Sequence, residues 1–199
     1  MNFTKNKLDN IIIGIFAPPG EGKTLLATLI AWAYDFVWAV YDIHWHDNFY
    51  RIRDYTDIEN LKIIRKWVNI KKKWLLIIDE VNVNFSNQNF QSKSNKWMWK
   101  FLMLSRKLNL DVMFVWQRAG WADKVIREMC RQTWAIRKFE KSNGDLDIIV
   151  NCWTNKWWLW NLDWERHVLT KRKTYRSCLE TLKLMWLSYD TTDLSILSF

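Results

Sequence analysis

With 199 residues, 49% of them apolar, the chain has the length of one large domain and enough hydrophobic material for a sizeable core. Thirty Lys and Arg against 21 Asp and Glu leave a net charge of +9, which favours an anionic partner (nucleic acid, nucleotide or acidic membrane face) without choosing among them. Cys130, Cys152 and Cys178 lie far apart with no C-x-x-C pair, which argues against a disulfide framework or a zinc ribbon and for a reducing, cytoplasmic setting.

No uninterrupted apolar run approaches the roughly 18 residues that span a bilayer, and the one before Pro18 and Pro19 is too brief for a signal-peptide core. A soluble chain without a transmembrane segment is expected. Residues 10–16 form a short β-like run, 17–24 a glycine- and proline-containing loop, and 25–34 an apolar helix. Residues 36–43 read as a second strand and 44–55 as a loop. Thr56 with Glu59 makes a capping-box pattern, and Ile58, Leu61, Ile64 and Val68 continue at helical spacing towards Asn69. The continuous apolar run 74–78, closed by Asp79 and Glu80, suits a strand buried on both faces of a parallel sheet. A polar loop over 82–93 leads to a helix capped by Ser94 and running to Asn109, then a strand over 111–116 ending at Gln117. A helix over 122–131 and a strand over 133–139 follow, and Asn143-Gly144 marks a hairpin into a strand over 146–153. Residues 154–199 are harder to assign. Alternating strands and helices argue for an α/β fold with a mostly parallel central sheet flanked by helices and a C-terminal antiparallel hairpin extension. A single domain is expected, with a core over 1–140 and an extension over 141–199.

Ala17-Pro18-Pro19-Gly20-Glu21-Gly22-Lys23-Thr24 fits the phosphate-binding loop of P-loop NTPases, with Ala17 for the usual first glycine, and it stands between a strand and a helix as that motif requires. Glycine lets successive backbone N–H groups turn toward one anion, so Pro19, Gly20, Glu21, Gly22, Lys23, Thr24 and Leu25 are the expected ATP-binding residues. Lys23 reaches the β- and γ-phosphates, and Thr24 offers a hydroxyl to Mg²⁺. A buried strand ending in Asp79 supplies the second magnesium position, as in other P-loop NTPases. Glu80, just beyond it, can polarise a water for in-line attack, which points to hydrolysis. Gln117 ends the strand expected beside the loop, where its amide can sense the γ-phosphate or orient that water.

Together, Lys23, Thr24, Asp79, Glu80 and Gln117 resemble the ATPases of the additional-strand, catalytic-glutamate division, and more narrowly the FtsK/HerA-type motors. Asp79-Glu80-Val81-Asn82, the stretch Ser105-Arg106-Lys107-Leu108-Asn109-Leu110-Asp111-Val112 and then Trp116-Gln117-Arg118 look like the zonular occludens toxin domain, which filamentous phage assembly ATPases share. Tyr189-Asp190-Thr191-Thr192-Asp193 is similar to a Tyr-Asp-Thr element that closes such domains. The resemblance implies an ATP-binding and ATP-hydrolysing motor subunit of viral DNA packaging or phage assembly, using Mg²⁺. Its partners would be DNA, further copies of itself in a ring, and capsid or coat proteins. It would work in the host cytoplasm or peripheral to membrane or virion. The transmembrane helix and periplasmic part of the phage assembly proteins are not matched, so membrane anchoring is not carried over. Ring motors take an arginine from a neighbouring subunit; Arg106 and Arg118 are preferred over Arg127 and Arg131 because they flank the strand carrying Gln117.

Two other function classes compete: a membrane-associated virion assembly or extrusion ATPase acting on proteins, and a small-molecule kinase, which Glu80 disfavours. Lys171-Arg172-Lys173-Thr174-Tyr175-Arg176 interleaves cations with an aromatic and is either a strand-tracking surface or a solvated face. Lys71-Lys72-Lys73 is expected at the sheet end away from the nucleotide. His44 and His46, near Asp42 and Asp47, read as structural, since no third His or Cys ligand accompanies them at useful spacing. Sixteen Trp and five Gly are unusual, since about 7% Gly would be ordinary. A reassigned UGA codon read as Trp would inflate one count and deplete the other; a real aromatic surface for partners is the alternative.

Overall fold

A computed structural model describes residues 11–44, 46–54, 56–58, 60–61, 72–81, 93–105, 107–117, 124–143, 145–154, 168–177 and 189–190. In chain order the elements are β1 (Ile12–Phe16), α1 (Lys23–Ala31), β2 (Phe36–Ala39), β3 (Asp42–Ile43), β4 (Phe49–Arg51), β5 (Trp74–Ile78), α2 (Lys93–Ser105), β6 (Leu110–Trp116), α3 (Lys124–Met129), β7 (Gln132–Glu140), β8 (Leu146–Thr154), β9 (Val168–Ser177) and β10 (Tyr189–Asp190). Eight strands form one sheet in the order β4-β2-β5-β6-β1-β7-β8-β9, and β10 pairs antiparallel with β3. The sheet is parallel from β4 to β7 and antiparallel through β8 and β9. This is the P-loop NTPase architecture, with β1 central between β6 and β7.

Burial explains the strand assignments. Every residue of β5 and β6 is buried, the pattern of strands covered on both faces, which is why they read as continuous apolar runs. The acid inside β6, Asp111, is buried but not bare: it accepts the Ile11 N–H (2.9 Å) and the Tyr34 hydroxyl (3.0 Å), tying β1, β6 and the exit of α1 together at the sheet end away from the phosphate loop. Burial, and then contact with that carboxylate, push the Tyr34 phenol up. Helix α1 buries Leu25, Leu26, Ala27, Ile30 and Ala31, and its buried hydroxyl, Thr28, donates to the Thr24 carbonyl (2.9 Å).

The structure departs from the sequence reading at several boundaries. Residues 36–43 are not one strand: the chain bends at Val40 and Tyr41, and β3 leaves the main sheet to pair with β10. The expected loop 44–55 contains the edge strand β4, parallel to β2. Asp54, not Thr56, caps the helical turn that follows, accepting the N–H of Thr56 (2.7 Å) and of Asp57 (3.2 Å); Glu59 and residues 62–70 lie outside the described residues. Helix α2 ends at Ser105, whose hydroxyl turns back onto the Leu102 carbonyl (2.6 Å), and the chain re-enters the sheet through Asn109 at φ 49°. The hairpin is deeper than expected, because β9 adds a third antiparallel strand. Lys73 stands immediately before β5, at the end away from the phosphate loop; its N–H donates to Asp35 (2.7 Å) and the Lys72 ammonium lies 3.5 Å from that carboxylate.

Candidate nucleotide site

The phosphate loop joins β1 to α1 as the sequence requires. Gly20 and Gly22 have φ 81° and 80°, the left-handed region that glycine enters without strain, and Gly22 is the residue before the first helical turn. No side chain caps that turn, so the N–H groups at the helix start are left facing the loop. Pro18 and Pro19 have no N–H to give; the donors come from Gly20 onward. Lys23 is only 6% exposed, and its ammonium donates to the Pro18 carbonyl (2.9 Å), folding the side chain back over its own loop. Burial lowers its pKa, opposed by the charges of Asp79, Glu80 and Glu21. Leu25 lends only its backbone, since its side chain belongs to the core.

Parallel pairing of β5 through β6 to β1 brings the ends of these strands to the loop. Thr24 Oγ1 donates to Asp79 Oδ2 at 2.6 Å across 55 residues of sequence. The other Asp79 oxygen accepts the Glu80 N–H (2.7 Å), an interaction made with Glu80 at φ 49°. Burial lifts the Asp79 carboxyl to about 6, against the hydrogen bonds from Thr24 and the Glu80 N–H, which pull it down. Gln117, at the end of β6, donates its amide to both carboxylate oxygens of Glu80 at 3.1 Å. Lys23, Thr24, Asp79, Glu80 and Gln117 are therefore brought to one end of the sheet.

The family model described as zonular occludens toxin (Zot) matches residues 38–141, just over half of the chain. The chain belongs to the Zot family. Among solved structures, the N-terminal domain of zonular occludens toxin from Neisseria meningitidis shares the fold of this Zot chain at 18% identity and a TM-score of 0.50, over 91% of this chain and 99% of that one. The genome packaging NTPase B204 of Sulfolobus turreted icosahedral virus 2, in complex with ATP-gammaS, is similar at 10% identity and a TM-score of 0.48, over 70% of this chain and 91% of that one. A KaiC-like protein from Pyrococcus horikoshii is similar at 15% identity and a TM-score of 0.48, over 83% of this chain and 84% of that one. No match was found among curated protein sequences.

Of the other residues singled out from the sequence, Arg106 and Arg118 lie outside the described residues. Arg127 and Arg131, on and just after α3, are partly buried. His46 lies within hydrogen-bond distance of the Tyr34 carbonyl (3.2 Å) and the Asn48 N–H (3.3 Å) through its two ring nitrogens, and among the described residues no group of three His, Cys, Asp or Glu forms a metal cluster. No helix among the described residues is long and apolar enough to cross a membrane.

One feature of the Zot site had no sequence signal. Glu21 in the phosphate loop accepts the Lys138 N–H of β7 at 2.7 Å, and Ile148 of β8 stands beside Gly22, 3.5 Å from where a Cβ would be. The antiparallel extension therefore touches the loop directly. Both contacts link residues more than a hundred positions apart, which no local pattern announces.

Proposed function

We infer that this Zot-family chain binds ATP in the loop 17–24 and hydrolyses it as the motor subunit of a DNA-packaging or phage-assembly machine. The observation that carries this is the 2.6 Å hydrogen bond between Thr24 and Asp79 beside Lys23, with Glu80 and Gln117 adjoining. A hydroxyl and a carboxylate converging at the start of a helix form a small, hard-oxygen donor pair that fits a magnesium ion, which binds with few protein ligands and takes the rest from water and phosphate. Thr24 and Asp79 would hold it; when bound, it neutralises charge on the β- and γ-phosphates. The N–H groups from Gly20 to Leu25 cradle the phosphates, and the Lys23 ammonium exchanges the Pro18 carbonyl for phosphate oxygens. Glu80 takes the proton of the attacking water, and Gln117 holds its carboxylate in place until then.

DNA is the favoured load because of the +9 charge. Family membership favours the second reading, work done on proteins of an assembling virion. Action as a homo-oligomer, with Arg106 or Arg118 delivered to the neighbouring site, belongs to the same proposal. Turnover measured with and without DNA, alongside oligomeric state by light scattering, tests it: DNA-stimulated hydrolysis by an oligomer is expected. A monomeric enzyme indifferent to DNA would overturn the DNA-motor reading, and no ATP binding at all would overturn both.

A further inference from the structure

The antiparallel extension ends in β9, the last strand of the eight-stranded sheet, and β9 carries Lys171, Arg172, Lys173 and Arg176 with no acidic residue between Val168 and Ser177. Its pairing sets these residues on a wider surface. Register puts Arg172 opposite Asn151 and Ala135, Thr174 opposite Ile149 and Arg137, and Arg176 opposite Asp147 and Phe139, so these positions share one face of the β7-β8-β9 ribbon. Arg137 is exposed and Phe139 is 49% exposed on that face. Its acid, Asp147, already lies 3.3 Å from the Lys141 ammonium. The remaining charge is positive, with an accessible aromatic among the cations.

We propose that this face, built around Arg137, Phe139, Arg172 and Arg176, binds the phosphate backbone of a nucleic-acid strand. On this face Arg172 and Arg176 are four residues apart, about 13 Å along the strand, and Arg137 lies two strands away, about 10 Å, so the ribbon offers an open lattice of positive positions over which a polyanionic backbone can run. An exposed aromatic within such a lattice can stack on a base whatever its sequence. The same ribbon reaches the phosphate loop through the Glu21 bond to the Lys138 N–H and the Ile148 contact at Gly22. A load seated on the face therefore lies on the structure that touches the nucleotide site. The assignment rests on the reading that nucleic acid is what the motor acts on, and it locates where.

The bland role for a basic edge strand is protection against edge-to-edge pairing, and the experiment separates the two. Binding of labelled single-stranded and duplex oligonucleotides to the full chain is measured by anisotropy, without nucleotide and across salt concentrations, for wild type and for the Arg137→Gln/Arg172→Gln/Arg176→Gln variant. Affinity is expected to fall about ten- to hundredfold, and the log–log salt slope by about 2 to 3, near one unit per lost phosphate contact. Basal ATP turnover is expected to stay unchanged while its stimulation by DNA is lost. Replacing Lys71, Lys72 and Lys73 by Gln removes equal charge and is expected to cost less than threefold. Amine labelling of the wild type, which requires no variant, should show Lys141, whose ammonium lies beside Asp147 on this face, protected by oligonucleotide and Lys72 and Lys73 not. Wild type that binds no oligonucleotide defeats the DNA reading itself. Wild type that binds while the arginine variant binds equally, self-associates instead, or loses only its adhesion to anionic vesicles, defeats this site alone.

Discussion

At the scale of single residues, the site makes different demands on Lys23, Asp79 and Glu80. Lys23→Ala removes the ammonium folded onto the loop and should abolish ATP binding in a fluorescent-nucleotide titration. Glu80→Gln keeps shape and the Gln117 contact but not the proposed base, so it should bind ATP normally and turn over about 10²- to 10⁴-fold slower; normal turnover would remove Glu80 from that role. Asp79 bears on stability as well. Burial raises its carboxyl from 3.8 to about 6, so the folded chain holds the proton more tightly than the unfolded one. Between those values the folded state binds more protons, and its stability therefore falls as pH rises through the window, by up to about 3 kcal/mol for a two-unit shift. Asp79→Asn removes that cost. In urea denaturation without nucleotide, the variant's advantage over wild type should grow from pH 4 to pH 7, and an advantage that stays flat would show that Asp79 is not buried in this way.

At the scale of elements, β1 and β6 approach closely. A Cβ on Gly14 would stand 2.1 Å from the Trp116 ring, so glycine is required there by close approach rather than by backbone angle. Gly14→Ala should cost about 1–3 kcal/mol of overpacking, and substantially less in a Trp116→Leu background; equal costs in both would place the strain elsewhere. That contact was not legible in the sequence, although β1, the phosphate loop, α1, β5 and β6 were. These elements declare themselves locally, through apolar runs bounded by Gly20, Gly22, Asp79 and Gln117. The elements that were missed depend on distant partners. β3 leaves the sheet and pairs with Tyr189 and Asp190, far along the chain, and β4 is three residues long at an edge, too short to show a period. In β9, a strand with only one neighbour in the sheet, four cations hide the two-residue alternation that marks a half-buried strand. The site was legible for the same reason as the parallel core: its residues sit where strands end. The bridge from Glu21 to Lys138 was not, since it joins a loop to a strand 117 residues away.

For the whole molecule, the excess of tryptophan over glycine remains to be accounted for, and burial divides the problem. Trp32 and Trp99 are 48% and 41% exposed, whereas Trp38, Trp74 and Trp116 are at most 3% exposed and sit inside the sheet. Stacking holds some of them: Trp116 lies against Phe16 and Trp38 against Tyr50, with centroids 6.5 and 4.8 Å apart. Among the described residues, the indole N–H groups of Trp38 and Trp116 nevertheless have no hydrogen-bond partner. An unpaired buried donor costs about 1–3 kcal/mol, similar to the gain from the extra ring area of Trp over Phe. Trp38→Phe and Trp116→Phe should therefore stay within about 1 kcal/mol of wild type in urea denaturation, while Trp116→Ala should lose about 3–5 kcal/mol. Tolerance of Phe would mean that these sites call for bulk and a flat ring but not for an indole. A composition fixed by how UGA is read predicts just that indifference, with UGA codons at the Trp positions of the gene. UGG at all sixteen positions, or a loss above about 3 kcal/mol in Trp116→Phe, would instead make the indoles a selected part of the core.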